Sequence, residues 1–245
     1  MAERRGEKGL VGEFKNSICQ ACVSDACSEC CQTSESCLFT VWHSTLRLGS
    51  WEADRFRDAA ALYTHIIRGL HGRTHSESDS DRILYVAARG WPDSAGALGA
   101  PSSVLVQTLH APTWRQAERV VSGYLVQRVS GTINRGDNVR LKVVASPVVS
   151  RSSATGRLYR QVLWQEGECR NWFTQRLENS GCKVKASKTK VGELCHTSQR
   201  GHKVPLRELH ASVRITEPAR FASLLTRGMG RNRAWGAGLV QVLTN

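Results

Sequence analysis

Apolar and polar side chains alternate along Val41–Leu48 (VWHSTLRL) with the two-residue period of a strand that buries one face. The period then lengthens. Between Asp54 and Leu70, residues Ala59, Leu62, Tyr63, Ile66, Ile67 and Leu70 fall on one side of a wheel drawn at 100° per residue, which predicts an amphipathic helix. Strand patterns return at Arg82–Ala88 and Val104–Leu109, with a Gly/Pro/Ser-rich loop over Trp91–Ser103. A short helix is predicted over Thr113–Val121 and a closing strand over Tyr124–Val129.

The same succession recurs in the second half. Asn138–Val149 reads as a strand, and Gly167–Gly181 as a helix with Trp172, Phe173 and Leu177 as its apolar points and Gly181 as its stop. Cys182–Ser187 is a strand leading into a polar, basic loop. Leu206–Ile215 is a strand, Pro218–Gly228 a helix opened by proline, and Leu239–Leu243 the last strand. Two β-α-β-β-α-β units predict an α+β chain of two tandem ferredoxin-like domains. They span residues 41–131 and 136–245 and join near Gly131–Gly136.

Charge separates the halves. Residues 1–122 hold 13 basic and 14 acidic side chains, whereas residues 123–245 hold 21 basic and 7 acidic. A C-terminal half this basic attracts polyanions, nucleic acid foremost. No apolar run approaches the ~20 residues of a membrane span, and the first residues lack the apolar core of a signal peptide. The expected compartment is the cytoplasm, with no membrane partner.

Six of the nine cysteines lie between Cys19 and Cys37. Cys19, Cys22, Cys27 and Cys30 form two CxxC pairs, a spacing at which thiolates chelate zinc. The four residues between the pairs are short against the ~15–20 of a zinc ribbon. Two readings remain: a zinc knuckle, or a disordered cysteine-rich extension over residues 1–40. The spacing favours the extension, and no metal or cofactor is expected.

The most specific stretch is Gly228–Val240, GMGRNRAWGAGLV. It is not a dinucleotide fingerprint, because position 233 is arginine and the segment runs from helix to strand. Glycines at Gly228 and Gly230 let backbone approach phosphates, and Arg231 and Arg233 add charge. This segment resembles the glycine-rich loop of the repeat-processing ribonucleases of CRISPR systems. VLVQTLHAPTW (104–114) is similar to the "LVQ…PDW" segment of the CasE family of type I-E systems. LKVVASPVVSRSSATGR (141–157) is similar to its "RLRANP…TGK", and FRDAAALYTHIIRGLHG (56–72) to its first-helix "RDxxxLHRxxxxxF". The resemblance runs in order from Val41 to Asn245.

The resemblance implies two RAMP-type ferredoxin-like domains that bind the stem-loop of a CRISPR repeat RNA. It implies one cut at the 3′ base of the stem without metal, by attack of the 2′-hydroxyl on the adjacent phosphate. The products are a 2′,3′-cyclic phosphate and a 5′-hydroxyl, and the protein stays on its product as a subunit of Cascade, with the other Cascade subunits as partners. The family's catalytic histidine on the first helix falls here at Tyr63. Free tyrosine has pKa ~10 and is a poor base at neutral pH, so His65 is the second catalytic candidate, reached by a local shift of the helix. A catalytically silent hairpin-binding subunit is the alternative, and a generic RNA-binding protein a third possibility. Arg151, Arg157 and Arg160 flank the SSATG loop and suit phosphate contacts. Lys142, Lys183 and Lys185 complete the expected RNA-binding set with Gly228, Gly230, Arg231 and Arg233, and Lys188 and Lys190 extend the basic ribbon.

Overall fold

A computed structural model of the chain describes residues 35–49, 55–71, 83–89, 97–114 and 121–243. The first half contains β1 (Ser36–Leu48), α1 (Ala59–His71), β2 (Leu84–Arg89), β3 (Pro101–Thr108) and β4 (Val121–Asn134). Its antiparallel sheet has the order β2-β3-β1-β4, the arrangement of a split βαβ unit. Alternation turns Ser44, Leu46 and Leu48 towards α1, where they meet Leu62, Ile66, Ile67, Val104 and Val106 in one buried core. Ser44 is fully buried, and the Trp114 indole N–H donates to its hydroxyl at 3.0 Å, which satisfies it there. The helix expected over Thr113–Val121 lies almost wholly outside the described residues.

β1 starts at Ser36, five residues before the position its pattern predicted. Ser36–Thr40 pairs with Ser130–Asn134, and Cys37 and Phe39 pack with Ile133 against the core of the second half. Those five residues therefore belong to the sheet, and the expected extension over 1–40 is shorter by that much. The CxxC pairs lie outside the described residues.

A turn at Arg135–Gly136 leads into β5 (Asn138–Ala145), then β6 (Val148–Ser152) and β7 (Leu158–Val162), α2 (Glu166–Glu178), β8 (Cys182–Val184), β9 (Lys190–Gln199), β10 (His202–Ile215), α3 (Pro218–Arg227) and β11 (Val240–Leu243). The sheet order β11-β5-β10-β8 repeats that of the first half, so both halves are ferredoxin-like. Leu141 and Val143 of β5, Leu209, Ala211 and Val213 of β10, Phe173 and Leu177 of α2 and Phe221 of α3 make the second core.

Two additions decorate this unit. The stretch 138–149 is not one strand: it breaks at Ser146-Pro147, and β6 pairs with β7 as a separate hairpin carrying SSATG at its tip. The polar segment after Lys188, expected to be a loop, becomes β9 and pairs along the first half of β10. Val191, Leu194 and Cys195 do not alternate, so the ladder partner and not the side-chain pattern makes this strand.

Candidate nucleic-acid interface

Asp58 starts α1: one carboxylate oxygen accepts the N–H groups of Ala60 and Ala61 at 2.9 and 3.0 Å. Five residues on, Tyr63 is half-buried beside the first core. Its ring lies 6.2 Å from that of Tyr85 and 6.1 Å, edge-on, from that of Trp235. Burial pushes the Tyr63 phenol above its ordinary range, so it stays protonated at neutral pH and acts as a hydrogen-bond donor. Beneath it the buried Tyr85 hydroxyl lies 3.3 Å from the Ala59 carbonyl and 3.2 Å from that of Ala234, bridging α1 to the glycine-rich segment.

His65 faces elsewhere. Its ring sits 5.0 Å from Phe56 in a cavity of about 320 Å³ lined by Arg55, Asp58, Thr64, Arg68 and Arg200. Burial, followed by the charges of Arg55 and Arg68, lowers its pKa to about 4, which makes the imidazole neutral at pH 7. The two catalytic candidates are thus on different faces of α1 and are not brought together.

The glycine-rich segment closes on itself. The Met229 N–H donates to the Gly238 carbonyl at 2.8 Å, and the Gly238 N–H to that of Val144 at 2.7 Å. Gly228 has φ +70, and a Cβ there would lie 2.7 Å from the Gly238 oxygen; one on Gly238, at φ +92, would fall onto the Met229 carbonyl. Gly230 packs over Trp172. Close backbone approach within the turn requires Gly228 and Gly238, and a left-handed φ of +77 favours glycine at Gly230; none of the three needs a phosphate to account for it. Arg231 donates to Ser150 Oγ at 2.9 Å and so ties the segment to β6, while Arg233 donates to the Arg227 carbonyl at 2.7 Å; both side chains remain exposed.

Arg151, Arg157 and Arg160 lie exposed on the β6–β7 hairpin, Arg151 donating across it to Gln161 Oε1 at 3.2 Å. The pattern did not single out their neighbours. Leu158, Tyr159 and Trp164 are 74%, 48% and 68% exposed, large enough fractions to leave ring and aliphatic faces open beside the arginines. Such a surface suits stacking as well as charge. A groove of about 600 Å³ separates this hairpin from α2, with Ser150, Arg151, Asn171 and Trp172 among its walls.

The lysines are placed differently. Lys142 and Lys183 alternate with core residues and occupy the sheet face turned away from α2 and α3, Lys183 beside Arg214. Lys142 is paired with Glu208 at 2.7 Å, and Glu208 also holds His210 at 2.7 Å. Partial burial opposes ionisation of Glu208, yet the bonds from Lys142 and His210 outweigh it and hold the carboxyl below its usual range. Lys185 follows β8 and is exposed. The structure therefore brings Arg151, Gly230 and Arg231 together near α2, carries Arg157 and Arg160 on the same hairpin as Arg151, keeps Gly228 and Arg233 on the segment of Arg231, and sets Lys142 and Lys183 on another surface.

The sequence profile of a family described as CRISPR associated protein matches residues 44–243. The chain belongs to that family. No curated protein matches its sequence. Among solved structures, Cse3 from Thermus thermophilus bound to an RNA representing a pre-cleavage complex is similar at 22% identity, covering 84% of this chain and 100% of its own, with a TM-score of 0.68. The CRISPR-associated protein Cas6e from Escherichia coli is similar at 16% identity over 82% of this chain and 98% of its own, TM-score 0.58. A chain of a CRISPR RNA-guided surveillance complex is similar at 17% identity over 82% and 98%, TM-score 0.54. At these identities the likeness is one of fold, and it is the tandem ferredoxin-like fold expected from the recurring pattern. Among the described residues no helix is long and apolar enough to cross a membrane.

Proposed function

We propose that this CRISPR-associated chain binds the stem-loop of a CRISPR repeat RNA, cuts it once at the base of the stem, and remains on the product in the cytoplasm as a subunit of a Cascade surveillance complex. The observation that carries this reading is the convergence at Tyr63: its phenol sits between Tyr85 and Trp235, on a helix tied to the glycine-rich segment, which Arg231 ties in turn to the arginine-bearing hairpin. The solved Cse3 structure of like fold holds RNA.

Cleavage breaks the bond from phosphorus to the 5′-oxygen as the 2′-oxygen forms its own, giving a cyclic phosphate and a 5′-hydroxyl. One proton leaves the 2′-hydroxyl and one reaches the departing oxygen, so no metal, oxidant or further reactant enters the balance. A protonated Tyr63 stabilises the phosphate oxygens or supplies the leaving oxygen's proton. A second reading, a hairpin-binding subunit that does not cut, is favoured by one observation: the histidine expected at Tyr63 is absent, and His65 points into a different cavity. Incubation with repeat RNA in EDTA, with and without a 2′-deoxy sugar at the cut, separates them. Cleavage lost only with the deoxy sugar supports the nuclease; tight binding with no cut supports the second reading.

A further inference from the structure

The cavity around His65 lies across α1 from Tyr63. Residues 60, 61, 64, 65 and 68 turn towards it, while Ala59, Leu62, Ile66, Ile67 and Leu70 turn inwards. Three guanidinium groups line it: Arg55 just before the helix, Arg68 one turn beyond Thr64, and Arg200 from the turn between β9 and β10 in the other half of the chain. Among the described residues Asp58 is its one acidic wall, and that carboxylate is already engaged. One oxygen caps α1, and the other accepts the Arg200 backbone N–H at 2.6 Å and the Ser198 hydroxyl at 3.3 Å. No side-chain ion pair joins Arg55, Arg68 or Arg200 to any described residue.

Among the described residues three guanidinium groups face one carboxylate in this half-enclosed space, a net positive charge that favours an anion between them. The depressed pKa of His65, pushed down partly by Arg55 and Arg68, records the same positive potential. Arg200 adds a separate argument. It sits at φ +47 and Gly201 at φ +80, the two central positions of a tight hairpin turn, where asparagine or glycine adopts the left-handed conformation more readily. An arginine held there at a conformational cost places its charge at this cavity.

We infer that the Arg55–Arg68–Arg200 cavity seats a backbone phosphate of the unpaired nucleotides flanking the bound RNA stem. This rests on the proposed RNA-binding function and adds a second contact to it. A volume of about 320 Å³ accommodates a phosphate with its sugar. The width of α1, ~10 Å with side chains, separates the cavity from Tyr63, so a strand leaving the stem base at Tyr63 crosses the helix to reach it. Neutral His65 and Thr64 supply polar contacts to the sugar-phosphate beside the arginines.

The test compares the full chain with an Arg55→Gln/Arg68→Gln variant, and separately with Arg200→Gln. Each is titrated with a blunt repeat hairpin and with hairpins extended by four unpaired nucleotides on the 5′ or the 3′ side, all with a 2′-deoxy sugar at the cut. The wild type is expected to bind one extended RNA about tenfold more tightly than the blunt one, with a salt slope steeper by roughly 0.7 per phosphate held. Both variants should lose that gain yet keep the blunt-hairpin affinity, which also certifies their folding. Equal affinity of the wild type for blunt and extended RNA overturns the inference and leaves the proposed function standing. So does thermal stabilisation of the wild type alone by inorganic phosphate with no effect of RNA length, since the site then serves a free anion. A wild type that binds no hairpin sinks the proposed function, and this inference with it.

Discussion

Asp58 holds the Arg200 backbone N–H at 2.6 Å while its other oxygen caps α1, so one carboxylate joins the helix bearing Tyr63 to the β9–β10 turn of the other half of the chain. Arg57 and Asp58 reinforce the same seam, the first by accepting from the Thr197 hydroxyl at 3.4 Å and the second by a parallel bridge to Ser198. Sequence spacing of this kind cannot be produced by local propensity. The helix is placed by a contact that closes only when both units are folded.

Loss of that contact is measurable. Asp58→Ala removes the cap and the link, and a capping residue alone contributes ~1 kcal/mol. Chemical denaturation at pH 7 should show a loss of about that size or somewhat more. The four hydrogen bonds to Asp58 outweigh its partial burial and depress its carboxyl pKa in the folded chain. The stability it confers is therefore present above the unfolded value of ~3.9 and fades as pH falls below it. The wild-type advantage over the variant should shrink between about pH 4 and pH 2; an advantage that is flat across that range contradicts the assignment.

Two glycines in the same backbone region separate collision from conformation. Gly238→Ala drives a methyl group onto the Met229 carbonyl at φ +92, whereas Gly156→Ala at φ +77 meets nothing within 4 Å. The second should cost only the left-handed penalty of roughly 1–2 kcal/mol. The first should exceed it by several kcal/mol or prevent folding. Comparable melting temperatures for the two variants would remove the argument that the segment is closed by its own backbone.

The recurring β-α-β-β-α-β order was legible because both cores obey simple periods: Ala59, Leu62, Ile66 and Leu70 at helical spacing, Leu141, Val143 and Ala145 at strand spacing. β9 was not, since its ladder with β10 imposes a strand on residues that do not alternate. Pro147 marked the break between β5 and β6, but apolar Val148 and Val149 continued the pattern across it. Tyr63 could be picked out through the resemblance of its helix. The surroundings of His65 could not, because Phe56 and Arg200 come from either side of a long stretch of chain and meet only in the folded structure. Charge alone did not sort the expected RNA-binding set either: strand alternation puts Lys142 and Lys183 on the sheet face away from the helices, and Glu208 engages Lys142 there.

Tyr63 separates binding from chemistry. Tyr63→Phe keeps the ring against Tyr85 and Trp235 and removes only the hydroxyl. Hairpin affinity should change less than threefold, and single-turnover cleavage should fall by roughly 10²-fold, the lower range for a lost proton donor. Because burial raises the phenol's pKa, its proton is retained through neutral pH and beyond the ordinary ~10. Wild-type cleavage should therefore show no decline attributable to Tyr63 through neutral and mildly alkaline pH. Unchanged cleavage in Tyr63→Phe would remove the hydroxyl from the reaction.

The hairpin arginines and Lys142 should behave differently with salt. Arg157 and Arg160 are exposed and free to meet phosphates, so each Arg→Gln change should weaken hairpin binding and reduce the salt slope by about 0.9. Tyr159→Ala and Trp164→Ala should instead weaken binding with the slope unchanged, since stacking carries no counterion release. Lys142→Gln should leave affinity and slope alone, because its ammonium is engaged by Glu208 on the face away from the helices. Its cost falls on stability. Without Lys142 the Glu208 carboxyl loses its strongest stabilising partner and its pKa rises, so the stability that the ionised form confers is lost at a higher pH than in the wild type. A fall in RNA affinity for Lys142→Gln as large as that for Arg160→Gln would place the RNA on the open sheet face and displace the hairpin as the principal contact.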